Sequence, residues 1–232
     1  MQEGTNPQVD AAIWALRPDF AALSITARGL ADPGEAGWVR EALERAVRDR
    51  AAGHAWADGH LEAWREAYRA FGAKPQRTPC SAEALRRRAE RDGAIPSAGA
   101  VVDLYNAVSL DFAIPVGGED LTAYAGVPRL VRADGTEPFD TVRDGAPAIE
   151  RPDPGEVVWR DDRGVTCRRW NWRQGVRTRI GPSTTDAWFV LERLAPMPID
   201  ALLAAGEQLA SGLSRMSPGA SIVQGLIQVP RP

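Results

Sequence analysis

Two short stretches of this chain hold the residues best suited to chemistry. Gly117-Gly118-Glu119-Asp120 sets two acids beside two glycines. Glycines let backbone N–H groups approach a ligand closely, and Glu119 could hold an ammonium group or orient a water as general base. The same four residues also suit a tight turn with solvated acids. Asn106, a few residues earlier, could bind a carbonyl in the same pocket, or bond to neighbouring backbone if buried. The second stretch, Arg168–Arg179, interleaves five arginines with two tryptophans. On a strand hairpin alternate residues share a face, which sets Arg169, Asn171 and Arg173 opposite Trp170 and Trp172. Guanidinium groups pair with phosphates and indoles stack on bases. With Arg168 and Arg177 in the same run, the chemistry implied is contact with a terminal nucleotide. The alternative is a strand pair with buried tryptophans and solvated arginines.

Other reactive side chains carry less. His54 and His60 lie near Asp58, but a metal site needs more ligands, and no Cys/His cluster has zinc-ligand spacing. No metal or other cofactor is expected. Cys167 reads as a core thiol. Cys80 precedes a helix N-terminus, where a thiolate is favoured, but it has no partner histidine. Arg86-Arg87-Arg88 reads as a solvated helix face, with a phosphate backbone as the alternative partner.

The elements that position these residues follow from periodicity and punctuation. Ala11–Leu16 and Ala21–Thr26 are short apolar runs flanking Arg17-Pro18-Asp19, and read as two strands. Asp32-Pro33-Gly34 punctuates. Helical spacing then predicts helices over Ala36–Ala52, Asp58–Phe71 and Ala84–Arg91, the last capped by Ser81. Val101–Leu110 reads as a helix with an apolar face. After Gly126 come short β-rich runs at Pro128–Ala133, Pro138–Thr141, Glu156–Arg160, Val165–Trp170 and Val176–Ile180, separated by turn residues. Ser183 reads as the cap of a helix to Leu194. Pro198–Leu213 is a last amphipathic helix, and the tail from Ser217 reads as loose. Helices precede most strands without βαβ alternation, so the fold class expected is α+β.

Composition bounds the rest. The chain has 232 residues, 44% hydrophobic and 25% charged, with net charge −3. These are ordinary values for a folded globular protein. The acidic balance argues against a general polyanion binder, and DNA is not an expected partner. The N-terminus lacks the basic start and apolar core of a signal peptide, and no apolar run is long enough to span a membrane. With only two cysteines, a reduced, cytoplasmic setting is expected.

Val101–Gly126, VVDLYNAVSLDFAIPVGGEDLTAYAG, resembles the signature segment of the B3/B4 tRNA-editing domain of the phenylalanyl-tRNA synthetase beta subunit. That segment runs V-V-D-x-T-N-Y-V-x-L, then P-x-H-A-F-D. Asp103, Asn106, Val108, Leu110, Pro115 and Asp120 match in register. Val131–Ala133, Phe139–Gly145, Glu156–Asp161 and Thr185–Glu192 resemble the family's following elements in order. The resemblance covers residues 75–195 and implies a free-standing form: one B3/B4-like domain over 1–232, with a helical extension at 198–215. It implies a mixed or antiparallel sheet flanked by helices, and no complete synthetase. The implied activity is hydrolysis of a mischarged aminoacyl ester in trans, or binding of tRNA or a free amino acid by a module without catalysis. Glu119 and Asn106 would hold the amino acid and water. Tyr105, Gly117, Gly118, Asp120 and Gln174 would bind substrate, and Arg168, Arg169, Asn171, Trp172, Arg173 and Arg177 would meet RNA. The family histidine falls on Gly117 and its threonine on Tyr105, so a preference for tyrosine is not implied.

Overall fold

A computed structural model describes residues 6–31, 36–49 and 53–230. The turn expected at Asp32-Pro33-Gly34 lies outside them. Two sheets carry the fold. The first is antiparallel, in the order β11-β2-β10-β3, from Ser221–Gln228 (β11), Ala21–Arg28 (β2), Asp186–Arg193 (β10) and Val116–Asp120 (β3). The second is mixed, in the order β1-β4-β7-β8-β5-β6. Its strands are Gln8–Val9 (β1), Arg129–Arg132 (β4), Val157–Arg160 (β7), Val165–Arg168 (β8), Phe139–Arg143 (β5) and Ala146–Glu150 (β6), with Arg173–Gln174 (β9) paired to β8. The expected α+β class with helix-flanked sheets is what forms.

The first sheet is buried on both faces, and strand alternation assigns each residue to one of them. Leu23, Ile25 and Ala27 of β2 join Ala187, Phe189 and Leu191 of β10 on one side. Helix α5 (Ala100–Phe112) and helix α6 (Ile199–Met216) cover that side with Leu104, Val108, Leu202, Leu209 and Leu213. The other side turns Trp188 and Val190 toward helix α3 (Ala57–Ala70) and the second sheet, among Trp64, Tyr68, Trp159 and Trp170. Helix α2 (Gly37–Asp49) and helix α4 (Ser81–Asp92) pack outside α5. Contact of α6 with the sheet is close, because a Cβ at Gly206 would run into Leu23 Cδ2. Gly206→Ala should therefore cost about 1–2 kcal/mol by overpacking, read as a lower urea midpoint; an unchanged midpoint would mean that the helix shifts freely.

Three elements differ from the sequence reading. Ala11–Leu16 is a helix, α1, because the Asp10 carboxylate caps it by accepting the Ala12 N–H at 2.8 Å and only Ile13 is buried. Ser183–Leu194 holds strand β10, whose Trp188/Val190/Glu192 and Ala187/Phe189/Leu191 sets face opposite sides. The tail is not loose: β11 pairs with β2 along its whole length. In addition, β8 stops at Arg168, and Val176–Ile180 is no strand, touching β3 only through an isolated Glu119–Arg179 bridge. Cys80, not Ser81, occupies the N-cap of α4.

Candidate functional site

The cavity sits between the two sheets and under α5. It has a volume of about 320 Å³. Strand register builds its floor. Glu119 pairs with Trp188 and Gly117 with Val190 across β3 and β10. Directly opposed residues share a face, so Gly117, Glu119, Trp188, Val190 and Glu192 all point to one side. All five line the cavity, as do Tyr105, Asn106 and Ser109 of α5, with Trp159, Cys167, Trp170, Asn171, Trp172 and Gln174 from the second sheet and its turn. A Cβ at Gly118 would meet Ile180 and Phe189, which explains a glycine at that point.

Glu119 is 4% exposed. Its carboxyl accepts hydrogen bonds from the Tyr124 hydroxyl and, at 3.1 Å, from Thr178 Oγ1. Burial pushes its pKa up to about 8, against the partial pull of its hydroxyl and amide neighbours. Gln174 braces this corner, donating to the carbonyls of Gly118 (2.9 Å) and Thr178 (3.2 Å). Asn106 lines the same space, and its side-chain amide closes no hydrogen bond among the described residues. An unused amide facing a cavity is available to a ligand carbonyl. Burial also raises the Tyr105 phenol, to about 12, so it stays a neutral wall. Asp120 stands apart: its oxygens accept from Thr122 N (2.8 Å), Thr122 Oγ1 (2.7 Å) and Thr184 Oγ1 (2.7 Å), making it a turn organiser.

The arginine–tryptophan stretch does not form the expected hairpin face. Arg169 and Trp170 take left-handed backbone, φ 47 and 66, and turn the chain out of the strand. Trp170, Asn171 and Trp172 therefore line the main cavity, while Arg169 lines a second one with Lys74 and Arg77. Asn106 and Glu119 share a cavity; Arg169 is not part of it. Most of the arginine charge is answered internally. Arg168, 6% exposed, pairs with Glu156 (2.7 Å) and Glu150 (3.1 Å). Arg173 pairs with Glu150 (2.6 Å) and Arg177 with Asp161 (2.8 Å). Arg169 stacks on Trp172, with its guanidinium 4.5 Å from the ring centroid. Arg173 also lies over Trp172, at 4.8 Å, and Arg169 lies 3.8 Å from Glu156, so these side chains are engaged with one another and with that acid.

The sequence reading left Glu192 without a role. It is 1% exposed and accepts from Trp159 Nε1 (3.0 Å) and Asn171 Nδ2 (2.9 Å). Burial pushes its pKa to about 7. Reading Ser183–Leu194 as a strand puts Glu192 on the Trp188 face; the signal is the short continuous apolar run Ala187–Leu191, which suits a strand buried on both faces. The remaining candidates are structural, apart from Arg88, which also lines the cavity. His60 donates from Nδ1 to Ala113 O, accepts the Trp64 indole N–H at 3.0 Å, and falls to a pKa of about 4 through burial. Burial raises the Cys80 thiol to about 12 and holds the Cys167 thiol well above its usual range, so both stay protonated. Arg87 pairs with Glu83 (2.5 Å), and Arg88 lies 3.8 Å from Asp92.

Two layers of sheet and helix around a small aromatic-walled cavity with buried carboxyls define a ligand-pocket domain. The fold matches an N-terminal fragment of the phenylalanyl-tRNA synthetase beta subunit from Pyrococcus horikoshii, with a TM-score of 0.53 at 10% identity. That likeness covers 100% of this chain and 56% of the other, so the chain spans a little over half of that relative. The B3/4 domain family matches residues 63–203, and the chain belongs to that family. No curated protein matches the sequence. Among the described residues no helix is long and apolar enough to cross a membrane.

Proposed function

We propose that the cavity binds the aminoacyl end of tRNA and that the protein hydrolyses a mischarged aminoacyl ester in trans. The observation that carries this reading is the meeting of the Glu119 carboxyl and the unused Asn106 amide in one amino-acid-sized cavity. Asn106 would hold the ester carbonyl while Glu119 takes a proton from the attacking water. The leaving ribose oxygen then gains a proton, and free amino acid and intact tRNA depart. Trp172, which lines the cavity beneath the Arg169 and Arg173 guanidiniums, would meet the terminal adenosine. Release of amino acid from a complete panel of correctly and wrongly charged tRNAs tests the reading. At least one charged tRNA should be cleared faster than in buffer, and no turnover on any would sink it.

A second reading has its own support. Both Glu119 oxygens already accept hydrogen bonds, and the group holds a proton at neutral pH. Glu119 would then be a hydrogen-bonding wall of a binding module. Salt-sensitive tRNA binding without turnover would select that form, and stabilisation by free amino acids but not by tRNA would select a small-molecule version.

A further inference from the structure

Glu192 is a buried carboxyl without a counter-charge. Its neighbours are donors of neutral N–H groups: Trp159 Nε1 and Asn171 Nδ2 bond to it, and Trp170 Nε1 lies beside it with no hydrogen-bond partner. No arginine or lysine among the described residues pairs with it. Two other deeply buried acids of this sheet pair are answered, Glu156 by Arg168 and Asp161 by Arg177, whereas Glu119, like Glu192, is held by neutral groups only. An ionised carboxyl buried without a cation is costly, and its attraction for one is correspondingly strong. The place where a cation would sit is the cavity, which Glu192 lines together with Trp159, Trp170 and Trp188.

Register fixes where this second carboxyl lies relative to the first. Glu119 opposes Trp188, and Glu192 is four residues further along β10 on the same face. The two carboxyls therefore stand about 13 Å apart along the strand direction, at opposite ends of one cavity. Cys167 lines the space and feels both. Bond-making at Glu119 thus leaves Glu192 to read the tip of a long side chain.

Building on the aminoacyl-ester reading, we infer that the amino acid accepted here is basic, with its terminal cation held by Glu192. Lysine and norleucine differ by the ε-ammonium alone, so their methyl esters isolate the contact. Calorimetry on the wild-type protein should show lysine methyl ester binding at least about tenfold more tightly than norleucine methyl ester. Glu192→Gln, nearly isosteric, should abolish that difference. Equal binding of the two esters by the wild type would overturn the inference without need of any variant. So would tighter binding of tyrosine methyl ester than of the lysine ester, or a preference for lysine that survives Glu192→Gln. Binding of neither ester while some aminoacyl-tRNA is hydrolysed refutes the basic side chain alone. Binding of neither with no turnover on the whole panel refutes the underlying reading too.

Discussion

Replacing Glu119 with glutamine should lower kcat/KM for aminoacyl-ester hydrolysis about a hundredfold, within the range a positioned general base supplies. The substitution keeps shape and hydrogen bonding to Tyr124 and Thr178, and removes only the capacity to take a proton. Burial raises the folded-state pKa of Glu119 to about 8, so at neutral pH only a minor fraction of the free enzyme carries the active carboxylate. The wild-type kcat/KM should accordingly climb with pH and level off above about 8. The glutamine variant should lose that limb, leaving a residual rate whose pH dependence is that of hydroxide alone. A variant with undiminished rate, or a wild-type profile flat from pH 6 to 9, would remove Glu119 from the chemistry. Proton abstraction would then have to be sought elsewhere in the cavity. Asn106 tests positioning separately: its amide is unused in the free protein, so its loss bears on the ester alone.

The parts of this architecture legible in the sequence were those with local signals. Val101–Leu110 shows its apolar stripe, and Asp103 has a local task, accepting Ser97 Oγ (2.5 Å) and Ala98 N (2.9 Å) at the start of α5. Asn106 and Glu119 are close in sequence, so placing them in one pocket needed only a helix followed by a turn or strand. What failed depended on distant partners. The acids that answer Arg168, Arg173 and Arg177 are Glu156, Glu150 and Asp161, 12 to 23 residues away, and nothing in the arginine run announces them. The kink at Arg169 and Trp170 uses left-handed backbone without glycine or asparagine, the residues that advertise it. Ser183 looks like a helix cap, yet Ala187–Leu191 after it is a short continuous apolar run. Tertiary burial on both faces decides for a strand, and only then does Glu192 enter the cavity.

The same two buried carboxyls should make the folded protein less stable as the solution becomes alkaline. Glu192 and Glu119 titrate near 4.5 when unfolded, but burial raises them to about 7 and about 8. A raised carboxyl pKa means that the folded state binds a proton the unfolded state has released. The resulting stabilisation is complete below about pH 4.5 and is lost as pH rises through 7 and then 8. Each group is worth on the order of 3 kcal/mol across that window. His60 acts in the opposite direction. Its pKa falls from 6.5 to about 4, so its contribution is complete above 6.5 and is lost as pH falls toward 4. Above pH 4.5 the two carboxyls outweigh His60, so these three groups place the stability maximum near that pH, with a decline on both sides. Urea midpoints measured from pH 5 to 9 should show the alkaline fall in the wild type. Glu192→Gln should flatten the fall below about pH 7, and Glu119→Gln should remove the part that continues from 7 to about 8. A wild-type midpoint unchanged from pH 6 to 9 would show that both carboxyls are ionised and already compensated in the free protein. Because lysine methyl ester favours the ionised form of Glu192, saturating amounts should remove part of the alkaline fall in the wild type and none in Glu192→Gln.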